Sequence, residues 1–257
     1  MGLFEDDYND ILRKARTGLR MSGEDLAARA GVSTSVLRDL LAGTPEPDED
    51  ALRRIAAALG LDAQKLADLA LRPEPQKPVT PAPPFAALSL ERAANCYVLG
   101  HRDGRQGVVV DPGDEADRIA NEVERLGVVP AFILVTHDHG DHVGALTAIR
   151  RRYPVPVIRS QDGAGIEAGA LRGRVRAITG HSPDSAVFIF EERGVAFTGD
   201  ALFARSVGGA EPGEGYRTQI DRVRSAILSL PPATVLAPGH GPLTTVADER
   251  RRNPFFP

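Results

Sequence analysis

What the chain lacks narrows its class before any motif is read. Among 257 residues there is one cysteine, Cys96, so no internal disulfide framework can form and a reducing compartment is implied. The first ten residues carry Glu5, Asp6, Asp7 and Asp10 in place of the basic-then-apolar order of a secretory leader. No apolar run approaches the roughly 20 residues of a membrane span. Positive charge is not in excess: 31 basic against 35 acidic residues leave a net charge of −4, which gives no support for a polyanion-binding surface. With 42% hydrophobic and 26% charged residues the composition is that of a soluble globular protein. A cytoplasmic protein with no membrane partner is the expectation.

Proline is concentrated in one place. Residues 72–84 read Arg-Pro-Glu-Pro-Gln-Lys-Pro-Val-Thr-Pro-Ala-Pro-Pro, a composition that forbids helix and central strand and favours an extended spacer. The expected organisation is therefore a first domain over 1–71, a linker over 72–85 and a second domain over 86–257. In the first, apolar spacings of three and four predict helices over Leu12–Arg20, Gly23–Ala30, Thr34–Leu41, Glu49–Leu59 and Ala63–Leu71. Ser22 and Ser33 are natural N-caps, and Gly31, Gly43 and Gly60 punctuate helix ends.

After the linker, short and mostly β-branched runs predict strands over Asn95–Gly100, Gly107–Val110, Ala131–Val135, Val155–Ile158, Arg174–Thr179, Ala186–Phe190, Val195–Thr198 and Thr234–Ala237. Helical periodicity marks Glu115–Leu126, His142–Arg152 and Thr218–Leu230. The hairpin-then-helix order of Asn95–Leu126 and Ala186–Leu230 predicts two β-rich halves with helices outside, an αββα sandwich and an α+β chain overall.

Five of the six histidines fall in tight motifs. The segment Thr136-His137-Asp138-His139-Gly140-Asp141-His142 packs three imidazoles and two carboxylates into one short stretch. His181, Asp200 and His240 follow in Thr179-Gly180-His181-Ser182-Pro183, Thr198-Gly199-Asp200 and Pro238-Gly239-His240-Gly241-Pro242. Imidazole with carboxylate is the ligand set of zinc, iron or manganese. Asp141 and His142 are expected to enter a helix N-terminus, where backbone donors favour the carboxylate.

The block Leu26-Ala27-Ala28-Arg29-Ala30-Gly31-Val32-Ser33, with Leu52, Ile55-Ala56 and Leu59-Gly60-Leu61, resembles the helix-turn-helix of the Cro/CI/Xre family over roughly residues 8–71. DNA is the partner that resemblance implies, but the charge runs against it. Up to Arg72 there are ten basic and thirteen acidic residues, whereas phosphate contacts supply most of a DNA reader's affinity. Gly23, Thr34 and Asp39 stand where that family often has donors on the DNA-facing side. Dimerisation into a homo-oligomer, or docking of a partner, fits the composition better than DNA, which stays open.

The series His137-x-His139-x-Asp141-His142, His181, Asp200 and His240 resembles the metallo-β-lactamase superfamily, with Val110-Asp111-Pro112-Gly113 as its first motif. Within it, Asn95-Cys96-Tyr97, Thr198 to Phe203, Ser206-Val207-Gly208, Pro238 to Leu243 and Asn253-Pro254-Phe255 are similar to short bacterial glyoxalase II-type hydrolases. That resemblance implies two divalent metals, zinc first, with iron or manganese as alternatives. It assigns His137, His139 and His181 to one metal and Asp141, His142 and His240 to the other, with Asp200 bridging. The implied reaction is hydrolysis of a small-molecule thioester, an S-acylglutathione or a relative of one, by a metal-bridging hydroxide. Asp141 and Asp200 then serve catalysis as well as binding. Asp111 orients a ligand histidine or is simply a turn residue in Asp-Pro-Gly. Cys96 reads as core, and His101 as a solvent-facing residue of the hairpin turn His101-Arg102-Asp103-Gly104. Tyr216 and Arg217 touch substrate or lie in a surface loop.

Departures narrow the substrate. Gly208-Gly209-Ala210-Glu211 lacks the family's usual arginine, the segment between His142 and His181 is short, and seventeen residues after His240 leave no room for a glutathione-binding helical domain. All three weigh against S-lactoylglutathione itself. Alternatives on the same fold are a mononuclear iron persulfide dioxygenase using one histidine of the His137/His139 pair with His181 and Asp200, and a lactone hydrolase. A DNA-binding regulator whose metal domain senses a metabolite is the non-enzyme reading.

Overall fold

The computed structural model describes residues 3–257 apart from 45, 103 and 104. The turn expected at Asp103-Gly104 lies outside the described residues. Five helices come first: α1 (Tyr8–Gly18), α2 (Gly23–Ala30), α3 (Thr34–Ala42), α4 (Glu49–Ala58) and α5 (Ala63–Leu71). Ser22 and Ser33 cap α2 and α3 as expected, each hydroxyl accepting the amide of the residue three positions on (Asp25 and Val36). Helix α1 begins before the first periodic leucine because the Asp7 amide donates to the Asp10 carboxylate at 3.2 Å and fixes its first turn.

The rest is built on two sheets. The first holds β1 (Phe85–Leu88), β2 (Cys96–Gly100), β3 (Gln106–Val110), β4 (Val129–Leu134) and β5 (Val157–Ile158) in that order. The second holds β6 (Gly165–Ala168), β7 (Leu171–Ala177), β8 (Ala186–Phe190), β9 (Val195–Gly199), β10 (Val235–Pro238) and β11 (Thr244–Thr245), ordered β11-β10-β9-β8-β7-β6. Side chains alternate across each strand, so Tyr97, Val108, Val110 and Leu134 meet Val175, Phe188, Phe197 and Ala237 between the sheets. On the outer face of the first sheet lie α6 (Ala116–Arg125), α7 (Gly140–Val143) and α8 (Leu146–Arg152), packing Ile119, Val123 and Ile149 on Val98 and Ile133. On the outer face of the second lies α9 (Glu214–Arg222), with its π-helical extension to Ile227, and α10 (Val246–Arg252) closes the chain. This is the αββα sandwich, an α+β chain preceded by a helical region.

Two features depart from the sequence reading. The stretch His142–Arg152 is not one helix: it breaks between Val143 and Leu146, where the chain turns against the Asp111–Gly113 loop and the Ala145 amide donates to Pro112 O at 2.9 Å. The proline segment is extended but not a free spacer. Glu74 pairs with Arg252 at 2.8 Å and Gln76 donates to Asp248 at 3.1 Å, so it lies along α10.

The helical region shares one apolar cluster with the outer face of the second sheet, in which Ile11, Leu12 and Leu66 join Val187, Ile189, Val223 and Phe256. Polar contacts fasten it: the Gly213 amide donates to Gly18 O at 2.8 Å, the Asp62 amide to Pro254 O at 2.8 Å, and Lys65 Nζ to Phe256 O at 2.6 Å. No helix among the described residues is long and apolar enough to cross a membrane.

Candidate metal centre

Strand ends gather the site. β4 delivers Thr136 and His137 into a loop that carries His139, and α7 starts immediately after it, so Asp141 and His142 stand in its first turn. His181 follows β7, Asp200 follows β9 and His240 follows β10. Parallel pairing of β9 with β10 brings the last two strand ends together. At this junction Gly239 is required: a Cβ there would lie 2.2 Å from Asp200 Oδ1 and 2.7 Å from His142 Cε1.

All seven expected ligand residues converge. His137 Nε2 and His181 Nε2 lie 3.0 and 3.2 Å from His139 Nδ1. Asp141 Oδ2 lies 3.2 Å from His240 Nε2 and 3.8 Å from His142 Nε2. Asp200 stands between the two trios: Oδ2 is 3.6 Å from His181 Nε2 and 4.0 Å from His137 Nε2, while Oδ1 is 3.4 Å from His142 Nε2 and 3.8 Å from His240 Nε2. His137 and His142 are buried, and His139 and the edge of Asp141 face outward.

The donor set fits divalent ions. Nitrogens in tetrahedral array about 2.0–2.1 Å from an ion are about 3.3 Å apart, close to the spacing within the first trio. Three groups of three ligand atoms, His137/His139/His181, His137/His142/Asp200 and Asp141/His142/His240, each lie within 4.8 Å of one another. Buried polar atoms normally find partners, yet His142 Nε2 and Asp200 Oδ1 are enclosed and without a hydrogen bond among the described residues.

Around the ligands, further contacts fix their orientation. The Asp111 carboxylate accepts from the Thr136 amide and hydroxyl, both at 2.7 Å, and lies 3.0 Å from His142 Nδ1. Asp111 sits at φ +48, a left-handed conformation that aspartate tolerates better than most residues. His181 Nδ1 lies 2.6 Å from Gly209 O, which leaves its Nε2 toward the site. Burial alone would lower the His142 pKa, but the bond to Asp111 and the nearness of Asp200 outweigh it and raise the ring to about 10. Burial alone would raise Asp200; His142 outweighs it and holds the carboxyl at about 2. Burial and the neighbouring His142 charge lower His137 to about 4, and burial lowers His181. The pocket therefore favours positive charge beside Asp111 and Asp200, while His137 and His181 keep free lone pairs at neutral pH.

Other residues singled out from the sequence fall elsewhere. Asp138 points away, paired with Arg159 at 2.9 Å. Cys96 is buried, its thiol pushed well up by that burial. Tyr216 is neither substrate-facing nor in a surface loop: its ring packs against Gly18 of α1 and near Phe255, and burial raises its pKa to about 12.

The motif residues Asn95, Tyr97 and Phe203 were visible in the sequence, but not their role in holding the loop around His240. Asn95 Nδ2 donates to Pro238 O and Gly241 O at 3.2 and 2.9 Å, and Tyr97 Oη donates to Pro238 O at 2.6 Å. Phe203 meets the His240 ring edge-on at 5.9 Å and carries Lys14 of α1 over its face at 5.0 Å.

The sequence profile described as "Metallo-beta-lactamase superfamily" matches residues 90–166 and 160–240, and one described as "Helix-turn-helix" matches 12–66. The chain belongs to the metallo-β-lactamase superfamily, whose members bind divalent metals, and carries an N-terminal helix-turn-helix region. It is 29% identical over 196 residues to hydroxyacylglutathione hydrolase GloC of Haemophilus influenzae, covering 63% of this chain and 92% of that protein. It is 31% identical over 176 residues to the human mitochondrial persulfide dioxygenase ETHE1, covering 62% of this chain and 69% of that one. Among solved structures it is similar to TTHA1623 in a di-iron-bound form, with 30% identity and a TM-score of 0.56 over 69% of this chain and 100% of that one.

Proposed function

We propose that the protein is a metal-dependent hydrolase of small-molecule thioesters, glyoxalase II-like in chemistry and cytoplasmic in location, with 86–257 as the catalytic domain, 72–85 as the linker and 1–71 as the helix-turn-helix domain. The observation that carries this reading is the placement of Asp200, one carboxylate oxygen toward each histidine trio. In this reading His137, His139 and His181 would hold one divalent ion and Asp141, His142 and His240 a second, with Asp200 offering one carboxylate oxygen toward each trio. Zinc is the first choice and iron or manganese the alternatives. Bound there, the ions supply Lewis acidity that brings the pKa of water down to about 7.

The protein's own groups do the rest. Asp111 keeps His142 turned so that Nε2 faces inward, and Gly209 O does the same for His181. Asp200 stays ionised on the buried side and Asp141 lines the outward side, so the two carboxylates orient the attacking water. Its oxygen forms the new bond to the acyl carbon and the C–S bond breaks; of the water's two protons one goes to the departed thiolate and the other to solvent, so the products are a carboxylate and a thiol. No side chain needs to protonate the leaving sulfur in advance, because a thiol of pKa about 8.5 leaves readily as thiolate. In the test, Asp200→Ala and His181→Ala are compared with the unaltered chain in thioester hydrolysis. Loss of at least a hundredfold is expected, and full activity in either variant sinks the mechanism.

The similarity to a persulfide dioxygenase favours one second reading, a single iron held by His181, Asp200 and one histidine of the His137/His139 pair, with positions left for oxygen and substrate. Oxygen consumption on glutathione persulfide separates the two. For the helical region, DNA binding is the function its motif implies. The surface of α3 offers Arg38 beside Asp39, with Thr34, Ser35 and Val36, a neutral face that suits a protein contact better than phosphate. A homo-oligomer through this region is the corresponding proposal.

A further inference from the structure

A second polar cavity lies away from the metal centre, where α5, the proline segment, the loop after Asp200 and α10 meet. It has a volume of about 340 Å³, within the rough 300–1,000 Å³ range of small-ligand sites. Its wall carries five cationic side chains, Lys65, Arg72, Arg205, Arg251 and Arg252, against the carboxylates of Asp68 and Glu74.

Most of these charges are accounted for inside the protein. Arg72 pairs with Asp68 at 3.2 Å and Glu49 at 3.3 Å, Arg252 with Glu74 at 2.8 Å and Arg251 with Asp248 at 2.8 Å. Lys65 is spent on the carbonyls of Arg250 and Phe256. Arg205 differs. The residue is 4% exposed, and its Nε and Nη2 are enclosed without a hydrogen-bond partner among the described residues. These two nitrogens form the side-on fork by which arginine takes two oxygens of a phosphate or carboxylate. The contact that covers the guanidinium is the Phe4 ring at 4.1 Å, which stabilises a cation but accepts no hydrogen bond.

The backbone makes the same point. Arg205 adopts φ +64, a region that is costly for a side-chain-bearing residue and nearly free for glycine. Its amide is anchored to Glu249 Oε2 at 2.9 Å. A strained backbone therefore carries a long cation into a buried wall where the carboxylates of Glu249, Asp248 and Glu74 face its charge but none among the described residues accepts a hydrogen bond from Nε or Nη2. A buried polar group left without a hydrogen bond is costly, and a bound anion would offset that cost.

We propose that this cavity binds a small phosphate-bearing anion, with Arg205 as its principal ligand and Arg252 at its rim. Because the same loop runs from Asp200 through Arg205 to Gly209, the carbonyl that holds His181, such a ligand would brace the helical region and the metal centre together. A free phosphate and a phosphorylated metabolite share this chemistry, and the assay separates them by affinity.

The test is calorimetric titration of the full metal-loaded chain with inorganic phosphate and with glycerol 3-phosphate at constant ionic strength in chloride. One equivalent of saturable binding is expected, and it is weakened at least tenfold in both Arg205→Gly and Arg252→Gln. Tighter binding of glycerol 3-phosphate identifies a metabolite site, and tighter inorganic phosphate identifies a phosphate site. Glycine suits the left-handed backbone, and Arg252→Gln decides the matter if Arg205→Gly does not fold. Absence of saturable binding overturns the proposal. So does equal affinity in the variants, which would place the anion at the metal centre.

Discussion

Replacing Asp111 by asparagine alters one atom of a residue that touches no reacting group, yet it reaches the metal centre through His142. In the native chain Asp111 accepts three hydrogen bonds, two from Thr136 at 2.7 Å and one from His142 Nδ1 at 3.0 Å. An amide oxygen can take the place of Oδ1 beside the Thr136 amide, but its NH2 then stands where Oδ2 met His142 and the Thr136 hydroxyl. A donor facing Nδ1 forces that nitrogen to accept, so the ring proton moves to Nε2 and the lone pair needed inside the site is lost. Loss of such an orienting partner typically costs about 10–100-fold in metal affinity or activity, or about 1.4–2.7 kcal/mol. We expect Asp111→Asn to release the second divalent ion on dialysis while the first is retained, with kcat/KM for thioester hydrolysis falling by the same factor. Metal content after dialysis, read beside circular dichroism, is the assay. Unchanged stoichiometry with activity within twofold of the native chain would refute the argument.

Three further outcomes follow from other contacts. Gly239→Ala puts a methyl group 2.2 Å from Asp200 Oδ1; metal content and activity should collapse while far-ultraviolet circular dichroism is kept, and normal metal loading would contradict the placement. Burial lifts Glu249 from 4.5 to about 7 against the hydrogen bonds from Thr244, Asn253 and the Arg205 amide. A raised folded-state pKa means stability fully present below pH 4.5 and lost as pH rises through about 7, on the order of 3 kcal/mol. Glu249→Gln, which mimics the protonated form, should flatten that slope in urea titrations between pH 5 and 8. Gly18→Val drives a branched side chain into the Tyr216 ring, already 2.4 Å from a Cβ at that position; heating should then show the helical region separating before the sandwich melts, where the native chain melts in one step.

The ligand series was legible because each residue stands beside a strand end that its own local pattern marks: β4 before His137, β9 before Asp200 and β10 before His240. The helical region was legible for a similar reason, since Ser22, Ser33, Gly31 and Gly43 set the ends of α2 and α3 locally. Short elements were not. The strands β1, β6 and β11 are two to four residues long, and Phe85-Ala86-Ala87-Leu88 has no alternation to read, so they exist by pairing with distant partners. Helix α10 was missed because Glu249 and three consecutive arginines hide its apolar face, and Glu249 is buried only because Thr244, Asn253 and Arg205 supply donors. Nothing local says that Tyr216 will close on Gly18, nor that the proline segment will be pinned to α10 by Glu74 and Gln76. Both depend on residues more than 150 positions away in sequence.

How many ions the seven ligands hold, and what they do, separates a hydrolase from a dioxygenase most directly. Elemental analysis of the purified full chain, read beside oxygen uptake and hydrolysis on matched thioester and persulfide substrates, addresses both at once. Two divalent ions per chain with thioester hydrolysis and no oxygen consumption is the expected result. A single iron per chain, with oxygen consumed on glutathione persulfide and no thioester cleaved, would contradict it.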